Sequence, residues 1–249
     1  MARISYDEPT AAAFKAVREL PRDGLTGWRE AARRHLHPSP GMRVVDIGAG
    51  TGAFTTAFVD WFGVDVIAVE PSAAMRAQIA RTPAVDVREG DATALPLEDG
   101  SADAAWLSLV IHHIPDLPAA AREIRRVLRP AAPVLIRQGF PGRLGGVELV
   151  RWFPETARTA DSFPTLAQTC DVFAAAGFQK EALEQVRETY PGSLADFLGQ
   201  VDTFRQADTT MRGLSDDEFV RGKDRLRGAV ERGEGPEPRS NLLDLLVLR

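Results

Sequence analysis

The sequence has little of what marks secreted, membrane-bound or nucleic-acid-binding proteins. Cys170 is the only cysteine in 249 residues, so an intrachain disulfide is excluded and a reducing compartment is expected. The longest apolar run, around 104–111, is far shorter than a membrane span, and the first twenty residues lack a signal-peptide layout. A net charge of -5 provides no basic footprint for nucleic acid. These absences predict a cytoplasmic protein with no nucleic-acid or membrane partner.

A glycine-rich turn near residue 50 is the most informative feature that is present. An apolar run at 43–47, typical of a buried parallel strand, leads into Gly48, Gly50 and Gly52, and a helical pattern follows over 51–61. Glycines let the backbone approach a ligand without Cβ atoms in the way. The N-terminus of the helix favours an anionic group. The turn therefore predicts a nucleotide-like cofactor at the end of the first strand.

Strand and helix patterns alternate along the rest of the chain and indicate an α/β fold. We expect a Rossmann-like, seven-stranded, mostly parallel sheet with helices on both faces. Such sheets bind ligands at the carboxyl ends of their strands. Polar residues of the kind that bind ligands lie at the carboxyl ends of the first four predicted strands: Asp46, Glu70, Asp91, and the pair His112 and His113.

The whole chain, 1–249, is interpreted as a single domain. Its predicted parts are an N-terminal helical lid at 1–40, a cofactor-binding core at 41–139, substrate-side cap elements at 140–164 and 190–236, and a final strand at 237–249. Residues 140–164 have no clear periodicity and are expected to be irregular. The lid and cap are the segments that a bare nucleotide-binding sheet does not need.

The glycines alone leave the cofactor undecided. Gly48, Gly50 and Ala53 also satisfy the relaxed dinucleotide pattern, so a nicotinamide-dependent oxidoreductase is an alternative. Asp46 favours a different ligand, because a carboxylate beside the turn repels a pyrophosphate and attracts an ammonium or sulfonium group. A purely structural role for Asp46, as a cap of the turn, also remains open.

The ordered motifs resemble class I S-adenosylmethionine-dependent methyltransferases. They are the runs 44–52, 69–72, 90–92 and 108–116, together with Met75. Within that family the chain is similar to the small-molecule branch common in ubiquinone-type and natural-product pathways. The motifs cover about residues 43–138. One departure is 130–133, which reads Pro-Ala-Ala-Pro where family members usually have a Pro-Gly-Gly turn before the fifth strand.

The resemblance implies how the cofactor, S-adenosyl-L-methionine, would be held. Asp46 is expected near the ammonium group, and Glu70 at the ribose hydroxyls. Asp91 is expected to accept from the adenine amino group while the Ala92 N–H donates to the ring. Met75 and its neighbours would pack on the adenine. The remaining residues assigned to the cofactor site by resemblance are Tyr6, Gly48, Ala49, Gly50, Gly52, Pro71 and Ser108.

For the chemistry, the resemblance implies methyl transfer to a small molecule. His112 and His113 are the candidate bases because histidine titrates near neutrality, which favours O-methylation slightly over N- or C-methylation. Either histidine could instead be a wall residue. A protein that binds S-adenosylmethionine without transferring methyl, as a cyclase-like catalyst or a scaffold, is the alternative function.

The acceptor and the assembly are predicted only in outline. Aromatic residues in the cap predict an apolar or aromatic acceptor, and they are Phe140, Trp152, Phe153, Phe163, Tyr190, Phe197 and Phe204. No catalytic metal cluster is expected, because the histidines are dispersed apart from one adjacent pair. The protein is expected to be a monomer or homodimer.

Overall fold

The computed structural model describes residues 7–18, 20–235 and 238–249, in which seven strands form one sheet. The strands are β1 Arg43–Ile47, β2 Asp65–Val69, β3 Val85–Arg88, β4 Ala104–Ser108, β5 Val134–Gln138, β6 Lys180–Tyr190 and β7 Arg239–Leu248. Their order across the sheet is β3-β2-β1-β4-β5-β7-β6. Strand β7 is antiparallel to both neighbours, and the other ladders are parallel. The predicted seven-stranded, mostly parallel sheet is confirmed.

Helices surround the sheet and form the cap. They are α1 Glu8–Arg18, α2 Thr26–Leu36, α3 Ala53–Phe62, α4 Ala73–Arg76, α5 Leu117–Val127, α6 Glu148–Trp152, α7 Ala157–Ala160, α8 Leu166–Ala175, α9 Leu194–Ala207, α10 Thr209–Arg212 and α11 Asp216–Glu231. Short 3-10 turns occupy Arg22–Leu25, Ile111–His113, Leu144–Gly146 and Pro154–Thr156. Across the described part of the chain, no helix is both long and apolar enough to cross a membrane.

The sheet is buried on both faces, as the nearly continuous apolar strands require. Ile124 of α5 and Phe173 of α8 are fully buried in the core on one face. Trp28 of α2 and Phe58 of α3 are fully buried in the core on the other. Helices on both faces are therefore confirmed. Because the helices cover both faces of the sheet and leave the strand ends open, a ligand site is expected at the strand ends.

The cap has a hydrophobic core of its own, formed by α6, α9, α10 and α11. Trp152, Phe153, Phe197 and Phe219 are buried there. The prediction that 140–164 is irregular is wrong, since this segment contains α6, α7 and two 3-10 turns. Helices this short carry little periodicity in the sequence. Their form depends on burying aromatic side chains against the longer helices.

Capping and backbone turns set the ends of three elements. Ser215 and Glu218 form a capping box at the start of α11. Helix α4 ends at Arg76, and the Gln78 N–H bonds three residues back, to the Met75 carbonyl at 2.9 Å. Strand β4 ends at Ser108, because Leu109 has a positive φ of 52° that turns the chain.

Two cap glycines provide a matched test of packing. A Cβ on Gly222 of α11 would lie 2.1 Å from the buried Phe153 ring, whereas a Cβ on Gly199 of α9 would meet nothing within 4 Å. We expect Gly222→Ala to lower the free energy of unfolding by ~1–3 kcal/mol through overpacking. Gly199→Ala should raise it by ~0.5–1 kcal/mol. Urea unfolding of both variants measures this, and changes of the same sign would contradict the packing described.

Candidate functional site

A cavity of about 550 Å³ lies at the carboxyl ends of the parallel strands. It brings together most residues that the sequence assigned to the site, namely Asp46, Gly48, Ala49, Gly50, Glu70, Pro71, Met75, Asp91, Ala92, Ser108, His112 and His113. Gly52 is not among the lining residues, and a Cβ there would lie 2.9 Å from Ile79 in the core beside α3. Tyr6 lies outside the described residues. Roles for all of these residues remain predictions.

The glycine turn leaves open space on its cavity side. Gly48 and Gly50 have positive φ angles of 70° and 57°, a conformation that other residues rarely adopt. A Cβ on Gly48 would lie 2.3 Å from Val110, whereas at Gly50 nothing lies within 4 Å. The Gly48 N–H donates to the Val69 carbonyl at 2.8 Å and so fixes the turn to β2. The bare backbone at Gly50 fits the close approach of a ligand.

Glu70 connects the end of β2 to this turn. Its side chain is buried, with the residue 7% exposed. One carboxylate oxygen accepts from the Gly50 N–H at 2.9 Å, and the other accepts from the Ser72 N–H at 2.9 Å. Burial raises the pKa of Glu70, while these two N–H donors and Arg76 oppose that rise. The acid is therefore held in a fixed orientation at the cavity wall.

Asp46 is buried more deeply, at 2% exposed. The Thr55 hydroxyl donates to its carboxylate at 2.6 Å. Burial is the main cause that raises the pKa of Asp46 to about 7, the Thr55 hydrogen bond opposes it, and the nearby Glu70 charge adds to it. Two desolvated carboxyl groups at one end of a cavity favour a cationic ligand. The hydrogen bond from α3 also anchors the helix to β1, so Asp46 has a structural part as well.

Asp91 forms a local turn at the cavity rim. Its carboxylate accepts from the Thr93 N–H at 2.7 Å and from the Thr93 hydroxyl at 2.5 Å. Ala92 and Met75 line the same cavity and are buried, at 6% and 2% exposed. This is the Asx turn that aspartate favours, and it leaves the residue exposed at the rim. Asp91 can therefore form this turn and still contact a ligand in the cavity.

The two histidines follow the bend at Leu109 and lie on the 3-10 turn Ile111–His113. The His112 ring stacks on Phe163 with centroids 4.1 Å apart and planes at 16°. The His113 ring lies 4.2 Å from that of His112. Gln138 of β5 approaches Nδ1 of His112 at 3.3 Å. The pair is thus fixed by the cap on one side and by the sheet on the other.

A buried ion pair at the cavity wall was missed by the sequence reasoning. Arg137 of β5 donates to Glu188 of β6, and both side chains are at most 8% exposed. Glu188 also accepts from the Trp28 indole at 3.0 Å and from the Tyr190 hydroxyl at 2.7 Å. Asn241 donates to that hydroxyl at 2.9 Å. Arg137 is the one charged residue of β5, whereas β6 carries several charged residues, so the sequence did not distinguish Glu188.

The aromatic residues predicted for the acceptor divide into two groups. Phe163, Tyr190 and Phe204 line the cavity. Phe140, Trp152, Phe153 and Phe197 are buried in the hydrophobic cores and are not among the residues that line the cavity. The physical reason is that large aromatic side chains stabilise a small cap most when they are fully buried. Aliphatic residues supply most of the remaining apolar lining, including Leu20, Leu25, Val147, Leu149 and Leu243.

No cluster of three or more His, Cys, Asp or Glu side chains suited to a metal occurs among residues 7–18, 20–235 and 238–249. The polar lining of the cavity consists of carboxylates, hydroxyl and amide side chains, Arg137 and one histidine pair. Carboxylates near a bare turn fit hydroxyl and ammonium groups of an organic ligand. The site as described fits an S-adenosylmethionine-like molecule.

Asp46 predicts how stability depends on pH. Its folded pKa of about 7 lies above the ordinary value of 3.8, so its contribution to stability is complete below about pH 4 and is lost as the pH rises through 7. We expect Asp46→Asn to stabilise the ligand-free protein at pH 8, by at most ~4 kcal/mol, and to flatten this pH dependence. Urea unfolding between pH 5 and 8 measures it. Asp65→Asn, at the exposed first residue of β2, is the control. If the free energy of unfolding changes with pH in the same way in wild type and Asp46→Asn, the prediction is refuted.

Comparison with known proteins places the glycine turn and the strand ends in a family. A family profile described as a methyltransferase domain matches residues 45–136. A demethylmenaquinone methyltransferase from Corynebacterium kroppenstedtii is 37% identical over 147 residues, covering 55% of this chain and 63% of the relative. A 2-phytyl-1,4-naphtoquinone methyltransferase from Synechococcus elongatus is 30% identical over 181 residues, covering 61% and 78%. The chain thus spans less than two thirds of the first of these relatives.

Solved structures agree on the fold. A putative methyltransferase from an antibiotic biosynthesis pathway of Anabaena variabilis has a TM-score of 0.73 at 21% identity, covering 89% of this chain and 96% of that one. The cyclase SpnF has a TM-score of 0.59 at 19% identity, covering 89% and 79%. At such identities the likeness concerns the fold alone, so the cyclase does not favour the non-transferring alternative. The sequence relatives are named methyltransferases. Motifs, cavity and relatives agree, and the chain belongs to the class I S-adenosylmethionine-dependent methyltransferases.

Proposed function

We propose that this protein transfers a methyl group from S-adenosylmethionine to a small, largely apolar acceptor of the quinol type. The observation that carries the proposal is the continuity of the cavity. The same cavity of about 550 Å³ includes the acid-flanked glycine turn and an apolar region beneath the cap. A donor and an acceptor bound in one enclosed space can be held in line for reaction, and positioning is the main source of acceleration for such a transfer.

The cofactor half of the cavity would hold the donor through the residues named by the resemblance. Asp46 and Glu70 offer negative charge and hydrogen-bond acceptors, and the turn at Gly50 offers space for close approach. When bound, S-adenosylmethionine supplies a methyl group activated by a positively charged sulfur. The protein's part is to orient this group and to exclude water from it.

The acceptor half supports the quinol-type class. Its lining is largely apolar, with Leu109, Val147 and Leu243 among the residues that face it. Its polar groups are the histidine pair, the network around Glu188, and a third group in the cap formed by Thr156, Asp208, Thr209 and Thr210. Relatives named for demethylmenaquinone and 2-phytyl-1,4-naphtoquinone point to ring systems of this kind. A planar ring with polar oxygens matches such a surface.

The histidine pair would supply the base. A quinol hydroxyl has to lose its proton before its oxygen, or the ring carbon beside it, is a strong nucleophile. A histidine at the cavity wall can accept that proton near neutral pH, because its ordinary pKa is about 6.5. O-methylation remains the favoured outcome, since the deprotonated oxygen itself would lie nearest the base.

Cofactor binding provides the first test. Replacing Glu70 with Gln removes a charged hydrogen-bond acceptor, and we expect S-adenosylmethionine or S-adenosylhomocysteine to bind roughly 10–100-fold more weakly in calorimetry. The same loss is expected for S-adenosylmethionine with Asp46→Asn at pH 8, where the carboxylate of wild type is charged. Glu98→Gln, at an exposed position, serves as the control. If Glu70→Gln and Asp46→Asn both bind S-adenosylmethionine as tightly as wild type, the assignment of these two acids to the cofactor site is wrong.

Turnover provides the second test. Wild-type protein given S-adenosylmethionine and a reduced naphthoquinone should form S-adenosylhomocysteine and a methylated product, whose mass fragments identify an O- or C-linked methyl. Replacing the histidine that takes the proton should lower kcat by ~100-fold or more. His112→Gln and His113→Gln are compared with His37→Asn, which changes an exposed histidine at the end of α2. The proposal fails if reduced naphthoquinones of varied substitution yield no product, or if neither site variant loses activity.

A further inference from the structure

The side chain of Gln138 sorts the two histidines into different roles, an inference that deepens the proposed function and rests on it. Gln138 is the last residue of β5 and is 1% exposed. Its amide nitrogen lies 3.3 Å from Nδ1 of His112 and 3.3 Å from the Gly139 carbonyl oxygen. Both neighbours therefore lie on the nitrogen side of the amide.

The Gly139 carbonyl determines which way this amide faces. A carbonyl oxygen can only accept, so the group that faces it has to be the amide NH2 of Gln138. The reverse orientation would place two oxygens 3.3 Å apart and would bury an NH2 group where the structure has only Oε1. Among the described residues no hydrogen-bond partner faces the position of Oε1, so the observed orientation makes two bonds, to His112 and Gly139. The reversed amide could make only one, accepting from a proton on Nδ1 of His112.

The His112 ring cannot escape this contact by turning over. Phe163 stacks on the ring with centroids 4.1 Å apart, and the His113 ring lies 4.2 Å away. A ring rotation would exchange Nδ1 for a carbon and leave the Gln138 amide facing a C–H group. Stacking therefore fixes the plane of the ring, and the amide contact fixes which edge of the ring faces Gln138.

From this geometry we infer that Gln138 is a positioning residue that holds His112 as the tautomer with its proton on Nε2. Nδ1 then accepts from the amide, and Nε2 donates a hydrogen bond whether or not the ring takes a second proton. His112 is a hydrogen-bond donor to an oxygen of the acceptor and not its base. His113 takes the hydroxyl proton, and the electron pair of the broken O–H bond stays on the acceptor oxygen.

Nuclear magnetic resonance tests the tautomer without any acceptor or turnover. Protein labelled with 15N-histidine contains four histidines, and His112→Phe identifies the signals of His112. At pH 8 the long-range 1H–15N pattern of His112 in wild type should be that of a ring protonated on Nε2. In Gln138→Glu a carboxylate faces Nδ1, and the pattern should switch to a ring with a proton on Nδ1. Gln200→Glu, at an exposed position in α9, should leave it unchanged.

A proton on Nδ1 in wild type, or the same pattern in wild type and Gln138→Glu, would overturn the inference. If Gln138→Glu does not fold, the side-chain NH2 of Gln138 is compared between wild type and His112→Phe, which keeps a ring on Phe163. One NH2 proton should move upfield when the nitrogen is lost, and no movement would overturn the inference. Failure of this assay leaves methyl transfer intact, whereas a missing product in the turnover assay rejects the proposed function itself.

Discussion

The contact between the Glu70 carboxylate and the backbone N–H groups of Gly50 and Ser72 is the constraint on which the rest of the site depends. It joins the turn after β1 to the end of β2 through one buried side chain. The orientation of the cavity wall is therefore set by hydrogen bonds to backbone atoms, which do not depend on the neighbouring side chains. A buried carboxylate with two N–H donors remains charged more readily than one without them.

The electrostatics of the site follow from burial. Asp46 and Glu70 both have raised pKa values because the protein removes them from water, and their mutual repulsion adds to this for Asp46. Such a pair is unfavourable in the ligand-free protein and favourable beside a cation. Burial of these two carboxyl groups thus lowers the stability of the ligand-free protein and raises its affinity for a cationic ligand. Opposite effects of this kind are common at functional sites.

Interactions across the sheet shape the part of the cavity that is proposed to bind the acceptor. Arg137 and Glu188 lie on strands separated by β7, and their pairing is flanked by Trp28 from α2 and by Asn241 from β7. The Arg137 guanidinium lies 5.1 Å from the Trp28 ring. Because a buried ion pair needs such additional partners, it links α2 to strands β5, β6 and β7 around one point of the cavity. The surface proposed for the acceptor depends on this network as well as on the cap.

The sequence by itself determined the glycine turn, the strand-end residues and the fold class, because these depend on the conformational freedom of glycine and on short-range hydrophobic patterns. Asp46, Gly48, Glu70 and Asp91 lie at the carboxyl ends of neighbouring parallel strands, and these ends meet at one edge of a sheet, so their convergence could be foreseen. Tertiary structure alone decided the short helices of 140–164, the burial of Trp152 and Phe153, and the Arg137–Glu188 pair. It also decided the contact of Gln138 with His112. These features join residues remote in the chain, and their free energy comes from burial and pairing that local patterns do not record.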